Sequence, residues 1–151
     1  MDKNILLSVR AILFDKSKNN ILLLQRSANE RHDSLKWEFV GGKANNNEES
    51  FKEIITREIF EETGIKNFQF LTNFPLISTF CVKQGVYQGS RFIQILYPCQ
   101  IQFNEKVIIS SEHSDFKWIQ HTEINIAELS TPLQNCSDLL LTYIAKYNEK
   151  I

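Results

Sequence analysis

The chain has its most informative stretch at residues 42–65, which read GKANNNEESFKEIITREIFEETGI. Apolar residues recur in it at the spacing of one helix face, namely Phe51, Ile54, Ile55 and Ile59. Gly64 follows them, where a helix commonly ends in a left-handed residue. The pattern therefore predicts a helix that ends at Gly64 and is capped at its start by Asn47 or Glu48.

Three carboxylates lie near the end of this helix: Glu58, Glu61 and Glu62. The second and third are three and four positions beyond the first, so we expect all three on one face. Like charges at that spacing, at the negative end of the helix dipole, destabilise the helix. A divalent cation would reverse the sign of these interactions. The cluster thus predicts a metal site, and its hard oxygen ligands favour Mg²⁺ or Mn²⁺ over zinc.

Two glycines, Gly41 and Gly42, precede the helix and follow the short apolar run Trp37-Glu38-Phe39-Val40. Glycine allows the backbone to approach a ligand closely and to direct a carbonyl or an amide at it. The sequence therefore predicts that the backbone before the helix contributes to the same site.

Residues 42–65 resemble the Nudix box, which reads Gly, five residues, Glu, seven residues, then Arg-Glu-apolar-any-Glu-Glu-any-Gly-apolar. From Glu49 onward every position matches. Before Glu49 the segment is one residue longer than the pattern, so either Glu48 or Glu49 takes the place of the first Glu. A one-residue insertion in a surface loop costs little free energy.

The resemblance implies a Nudix-type α/β/α sandwich, a metal site and a reaction. It implies that Glu58, Glu61 and Glu62 bind the metal, with the Gly41 carbonyl as a further ligand. Arg57 would orient the box glutamates through charge-assisted hydrogen bonds. The implied reaction is metal-dependent attack of water on a pyrophosphate linkage in a nucleoside diphosphate derivative.

Residues 37–43 are similar to the same segment of mutator-type (MutT-like) nucleoside triphosphate pyrophosphohydrolases. Those enzymes release a nucleoside monophosphate and pyrophosphate, which favours a (d)NTP, or an oxidised or modified dNTP, as the substrate. Some of them use a loop Glu at a fixed distance before a tryptophan as general base, and Glu112 stands at that distance before Trp118. His113 is expected to be an exposed loop residue, and Glu105 is a weaker candidate for the base.

Three further residues are expected to bind the substrate. Arg26 and Lys43 are candidates for phosphate contacts, with solvated surface charges as the alternative. Asn135 could read a base edge or could cap a helix. The alternative substrates are ADP-ribose and dinucleoside polyphosphates. From a different class, a non-catalytic nucleotide- or RNA-binding module on the same fold would explain the same motif.

Length and composition narrow the class of protein. A chain of 151 residues fits one domain, spanning 1–151. With 17 basic and 18 acidic side chains, the net charge of −1 does not indicate a nucleic-acid-binding or membrane-binding surface. The resemblance implies a small-molecule nucleotide as the partner. The three cysteines, Cys81, Cys99 and Cys136, are expected to be buried free thiols in a reducing cytoplasm. The sequence leaves the oligomeric state open.

Apolar patterning predicts a mixed α/β (α+β) fold, with helices covering a mixed β-sheet. Pro98 within one of the strands suggests an edge position or a bulge. Strands are predicted at 5–15, 21–26, 66–73, 76–82, 93–103 and 116–119, and a closing helix at 131–147.

Overall fold

The computed structural model, which describes residues 4–48 and 50–148, has one eight-stranded mixed sheet with helices on both faces. This arrangement confirms the predicted mixed α/β sandwich. The strands are β1 Ile5–Phe14, β2 Asn20–Arg26, β3 Trp37–Glu38, β4 Val40–Gly42, β5 Phe68–Phe70, β6 Leu76–Cys81, β7 Arg91–Ile101 and β8 His113–Gln120. The helices are α1 Phe51–Thr63, α2 Thr131–Gln134 and α3 Ser137–Asn148, with short 3₁₀ turns at His121–Glu123 and Ile126–Glu128.

The sheet is organised around β1. Strand β1 pairs in parallel with β7 along its whole length, from Ile5 opposite Arg91 to Phe14 opposite Gln100. On its other side it pairs antiparallel with β4 and, at its end, with β2. Strand β2 in turn pairs with β3 and β8. The glycine segment before the box helix is therefore hydrogen-bonded to the centre of the sheet.

Because side chains alternate along β1, the two faces of the sheet carry separate cores. Val9, Ala11 and Leu13 belong to the core that packs under α1. Ile12 and Phe14 belong to the core under α2 and α3. Apolar residues of the helices complete each core: Ile54, Ile55 and Ile59 on one side, and Leu133, Leu140 and Ile144 on the other.

Helix α1 ends as the sequence predicts but begins differently. Gly64 adopts a left-handed conformation with φ of +74°, and its N–H donates to the Phe60 carbonyl at 2.9 Å. The N-cap is Ser50, whose side chain accepts from the Glu53 N–H. The prediction of Asn47 or Glu48 as the cap was wrong. The helix begins at Phe51, so Ser50 is the residue directly before it, and its extended backbone lets its hydroxyl reach the N–H three residues on.

Two other predictions from the sequence are corrected by the sheet and the closing helices. Pro98 lies in the central strand β7, where pairing with β5 ends at Cys99 and pairing with β6 begins at Leu96. A proline is tolerated there because position 98 lies between the parts of β7 that pair with β5 and with β6, so no strand on that side requires an N–H from it. The closing helix is divided into α2 and α3, because Cys136 N–H turns back to the Leu133 carbonyl.

Burial of the thiols also differs in part from the prediction. Cys99 and Cys136 are buried, but Cys81 is exposed at the end of β6. Cys81 is the last residue of β6, at the end of its pairing with β7. Within the described part of the chain, no helix has both the length and the apolar character needed to cross a bilayer.

Gly41 of strand β4 gives a stability prediction. A Cβ on Gly41, which has φ of +150°, would lie 2.3 Å from the Val9 carbonyl oxygen of β1. We expect Gly41→Ala to lower the free energy of unfolding by about 3 kcal/mol or more, because the clash is with backbone. Gly89→Ala is the matched control, since Gly89 has φ of +87° but no atom within 4 Å of its Cβ position. It should cost only about 1–2 kcal/mol; equal losses in chemical denaturation would contradict the prediction.

Candidate active site

A cleft of about 630 Å³ opens beside the glycine turn of β4. Its walls come from the start of β1, the loop of residues 27–36, the end of β6 with the hairpin of residues 82–90, and α2. Five cationic side chains line it, against two anionic ones, Asp33 and Glu38. The cations are Arg10, Arg26, Arg31, Lys43 and Lys83. The cleft is thus electropositive beside a box rich in carboxylates.

The cleft brings together the three residues that the sequence singled out for substrate binding. Arg26, Lys43 and Asn135 all line it, although they are far apart in the chain. Lys43 is exposed at the cleft wall. Arg26 is more constrained, because it donates to Glu38 at 3.0 Å and to the His32 carbonyl at 3.0 Å. The Asn135 side-chain nitrogen donates to the Thr131 carbonyl at 2.9 Å, which leaves its oxygen to accept from a ligand.

Aromatic side chains form another part of the cleft wall. Phe80 and Phe92 lie on neighbouring strands with ring centroids 5.1 Å apart and planes 20° apart. At the mouth, the rings of His32 and Tyr87 are 6.2 Å apart, so the 27–36 loop meets the 82–90 hairpin there. Flat apolar faces of this kind suit a nucleobase.

The box carboxylates do not share one face equally. Glu58 and Glu62 are buried on the sheet side of α1, whereas the Glu61 side chain is 55% exposed. At about 100° per residue, position 62 lies about 40° from position 58, but position 61 lies about 60° away on the other side. The single cluster expected from the spacing is therefore split into a buried pair and a solvent-facing third member.

Arg57 joins the split cluster to the loop before the helix. Its guanidinium lies 2.9 Å from Glu58 Oε1 and 3.0 Å from Glu61 Oε2. It also donates to both Glu48 oxygens, at 2.7 and 3.1 Å, and to the Lys43 carbonyl at 2.8 Å. The hydrogen bond from Arg57 lowers the pKa of Glu48. Glu49, the other candidate for the first Glu of the box, lies outside the described residues.

Glu62 is the most perturbed carboxylate of the box. Its Oε1 accepts from the Gly41 N–H at 3.1 Å, while its Oε2 has no hydrogen-bond partner among the described residues. Burial, helped by the neighbouring Glu58, raises the pKa of Glu62 to about 9. A cation beside this carboxylate would lower that pKa again, because it favours the ionised form.

The residues present fit a hard divalent cation. Glu62 offers a buried oxygen without a partner, and Glu58 lies so close to the backbone that a Cβ on Gly42 would be 2.6 Å from its Oε1. The donor set of carboxylates and a carbonyl suits Mg²⁺ or Mn²⁺. Across residues 4–48 and 50–148, no three acidic, His or Cys side chains already converge closely enough to hold an ion. Arg57 instead links Glu58 to Glu61.

Behind the box lies a buried polar group that the sequence reading missed. Glu38 is only 5% exposed and His113 only 7% exposed. His113 Nε2 lies 2.9 Å from Glu38 Oε1, and its Nδ1 lies 3.5 Å from Glu62 Oε2. Burial opposes the ionisation of Glu38, but Arg10, the His113 hydrogen bond and Arg26 together lower its pKa to about 2. His113 was expected to be an exposed loop residue, which is wrong because β8 begins at His113 rather than at Phe116.

The two candidates for the general base lie in different surroundings. Glu112 is exposed in the turn before β8, and its carbonyl accepts from the Ser27 N–H at 3.3 Å. The Glu105 carboxylate accepts from the backbone N–H groups of Lys66 and Asn67, in a separate depression of about 320 Å³. Glu105 therefore holds the chain before β5, and Glu112 is the one adjacent to the buried His113.

Comparison with known proteins identifies the family. The family model described as NUDIX domain matches residues 5–140. No curated protein matches the chain. Among solved structures, the MutT protein from Methanosarcina mazei Go1 is 26% identical, with a TM-score of 0.73 and 99% of each chain covered.

Two further structures share the fold at lower identity. A Caenorhabditis elegans Ap4A hydrolase binary complex is 16% identical, with a TM-score of 0.70, and the match covers 93% of this chain and 98% of that one. A bifunctional NMN adenylyltransferase/ADP ribose pyrophosphatase from Francisella tularensis, complexed with AMP and a Mn ion, is 21% identical with a TM-score of 0.67. That match covers 95% of this chain and 43% of the other. The chain therefore belongs to the Nudix family of hydrolases, which act on pyrophosphate-containing substrates.

Proposed function

We propose that this protein is a nucleoside triphosphate pyrophosphohydrolase that cleaves a (d)NTP, or an oxidised or modified dNTP, into a nucleoside monophosphate and pyrophosphate. The observation that carries the proposal is the electropositive cleft, which has five cationic side chains and adjoins the box at Gly42, where a Cβ would lie 2.6 Å from Glu58 Oε1. A polyphosphate carries several negative charges, so such a cleft attracts it. The 26% identity with a MutT protein over nearly all of both chains supports the triphosphate substrate.

The metal is proposed to be Mg²⁺, with Mn²⁺ able to replace it. Hydrolases of this family need a divalent metal, and the F. tularensis relative was solved with Mn. We assign Glu58, Glu61, Glu62 and the Gly41 carbonyl as its ligands. When bound, the metal polarises the phosphoryl oxygens and offsets their repulsion by the carboxylates.

Arg57 is proposed to organise the site. Its guanidinium already contacts Glu48, Glu58 and Glu61, so it holds the loop and the helix end in one arrangement. Because Arg57 pairs with Glu48 at 2.7 Å, we assign the role of the first Glu of the box to Glu48. A planar guanidinium can serve this many acceptors, which a lysine ammonium cannot do in the same geometry.

Glu112 is proposed as the general base. It is exposed to solvent, stands at the required distance before Trp118, and directly precedes His113, which contacts Glu62. Lys43 and Arg26 are proposed to bind phosphate oxygens at the cleft wall, and Asn135 to contact the base.

Product analysis tests the substrate assignment. The protein with Mg²⁺ is incubated with NTPs, dNTPs, 8-oxo-dGTP, ADP-ribose and a diadenosine polyphosphate, and the products are separated by chromatography. We expect a monophosphate and pyrophosphate from one or more triphosphates, with the fastest base identifying the preference of the pocket. Turnover of ADP-ribose or the dinucleotide alone would keep the metal chemistry and overturn the substrate. No turnover of any of them would favour the binding-module alternative.

Removal of the buried charges tests the metal ligands. Glu58→Gln and Glu62→Gln keep the side-chain volume but cannot supply a carboxylate to the metal. Loss of a contact that only orients a metal ligand costs up to about 100-fold in affinity. Loss of a ligand itself should therefore lower Mn²⁺ binding and turnover by at least that much. Calorimetry without substrate measures the binding. Glu123→Gln, the same change at an exposed residue outside the cleft, is the control. Unchanged Mn²⁺ affinity in both buried variants would contradict the ligand assignment.

Base selectivity tests Asn135. We expect Asn135→Ala to lower kcat/KM about tenfold for the preferred base and to leave the other bases nearly unchanged, since one hydrogen bond is lost. Asn104→Ala is the matched control, because Asn104 lines the separate depression rather than the cleft. A uniform loss for all bases would assign Asn135 to helix capping instead.

A further inference from the structure

Two buried atoms face each other behind the box without a hydrogen-bond partner. Glu62 Oε2 and His113 Nδ1 both lack one among the described residues, and they are 3.5 Å apart. Both side chains are only 3% exposed. A buried polar atom without a partner is costly, so an arrangement that leaves two of them face to face calls for an explanation. The separation is just beyond a good hydrogen bond, which a small shift of either side chain would form.

The other side of the imidazole is firmly held. His113 Nε2 lies 2.9 Å from Glu38 Oε1, and Glu38 Oε2 accepts from Arg26 at 3.0 Å with Arg10 at 3.5 Å. These four residues stand on β8, β3, β2 and β1, four strands of one sheet. The ring therefore has a fixed orientation, and its Nδ1 is directed at Glu62 by the sheet rather than by a mobile loop.

We propose that His113 is a positioning residue for the metal site, which rests on the proposed function. Gly41 N–H fixes one oxygen of the Glu62 carboxylate at 3.1 Å, and His113 Nδ1, 3.5 Å from the other, is placed to donate to it after a small shift. Together they set the plane of the carboxylate while leaving each oxygen a free lone pair for the cation. Glu38 acts through His113, and Arg10 and Arg26 act through Glu38. This series of buried contacts thus connects Glu62, a proposed metal ligand, to the two arginines of the cleft wall.

Contacts of this indirect kind typically change metal affinity 10–100-fold when they are removed. A role in folding alone would predict something different. The 2.9 Å contact with Glu38 is the shorter of the two, so a purely structural His113 would depend mainly on Nε2. A positioning His113 depends on Nδ1. Substitution can distinguish the contribution of Nδ1 from that of Nε2.

Asparagine and glutamine separate them. The amide nitrogen of Asn occupies the place of Nδ1, whereas that of Gln reaches the place of Nε2. We expect His113→Gln to weaken Mn²⁺ binding by about 10–100-fold and His113→Asn to weaken it less, because Asn keeps the contact with Glu62 and loses only the one with Glu38. Binding is measured on the protein without substrate, by calorimetry and by the electron paramagnetic resonance signal of free Mn²⁺. His121→Gln, in the 3₁₀ turn after β8, is the matched control and should bind as the unsubstituted protein does.

Thermal unfolding of the metal-free variants separates loss of metal binding from loss of the fold. If His113→Gln does not fold, Glu38→Gln tests the same series of contacts. It keeps the side-chain volume but weakens the interaction between Glu38 and His113 Nε2. We expect this variant to fold and to bind Mn²⁺ more weakly. Mn²⁺ affinity unchanged in His113→Gln, or in Glu38→Gln where it is needed, overturns the inference, as does greater loss in His113→Asn than in His113→Gln. Failure of the unsubstituted protein to bind Mn²⁺ would instead overturn the proposed function.

Discussion

The candidate active site depends on the burial of two carboxylates between helix α1 and the central sheet. Glu58 and Glu62 occupy helix positions that would ordinarily hold apolar residues, beside Ile54, Ile55 and Ile59. They fit because Gly41 and Gly42 have no side chains: a Cβ on Gly42 would be 2.6 Å from Glu58 Oε1, and one on Gly41 would collide with β1. Gly42 therefore allows α1 to lie close to β4, and Gly41 allows β4 to lie close to β1, which together fix where the carboxylates stand.

Burial also makes the site unfavourable in the absence of a cation. Burial raises the pKa of Glu62 to about 9, so the metal-free carboxyl prefers to keep a proton, while the pKa of Glu38, on the other side of the His113 ring, is lowered to about 2 by Arg10, His113 and Arg26. Two carboxyls of similar burial thus have opposite shifts: Arg10 and Arg26 contact Glu38 directly, whereas at Glu62 the attraction of Arg10 does not offset burial and the repulsion by Glu58 and Glu38. The protein compensates Glu38 with two arginines in direct contact, whereas no lysine or arginine among the described residues forms a salt bridge with Glu62. A ligand cation completes the set, which explains why the box tolerates such crowded charge.

The parts of the structure that sequence reasoning predicted are those whose signals are local. The helix and its end at Gly64 follow from spacing within 42–65, and apolar alternation located six of the eight strands to within a few residues, missing the short β3 and β4. Glu38 and His113 could not be predicted in this way, since they are 75 positions apart and meet only because β3 and β8 both pair with β2. A weaker signal existed: Glu38 interrupts an apolar run, and Arg10 stands between Val9 and Ala11, both fully buried. A charged residue in a buried strand needs a partner, although the sequence does not name it.

In the proposed function, chemistry and substrate choice rest on different elements of the fold. The box carboxylates and Arg57 stand on α1, packed on the sheet, whereas the cleft is closed by the 27–36 loop, the 82–90 hairpin and α2. The loop and α2 are joined where Asp33 accepts from the Thr131 N–H and hydroxyl at 2.9 and 2.7 Å, just before Asn135. Residues in such loops can change without disturbing the rigid helix and strand beneath them. The metal chemistry is therefore readable from a single motif, while the substrate depends on contacts between segments a hundred residues apart, which only the folded chain brings together.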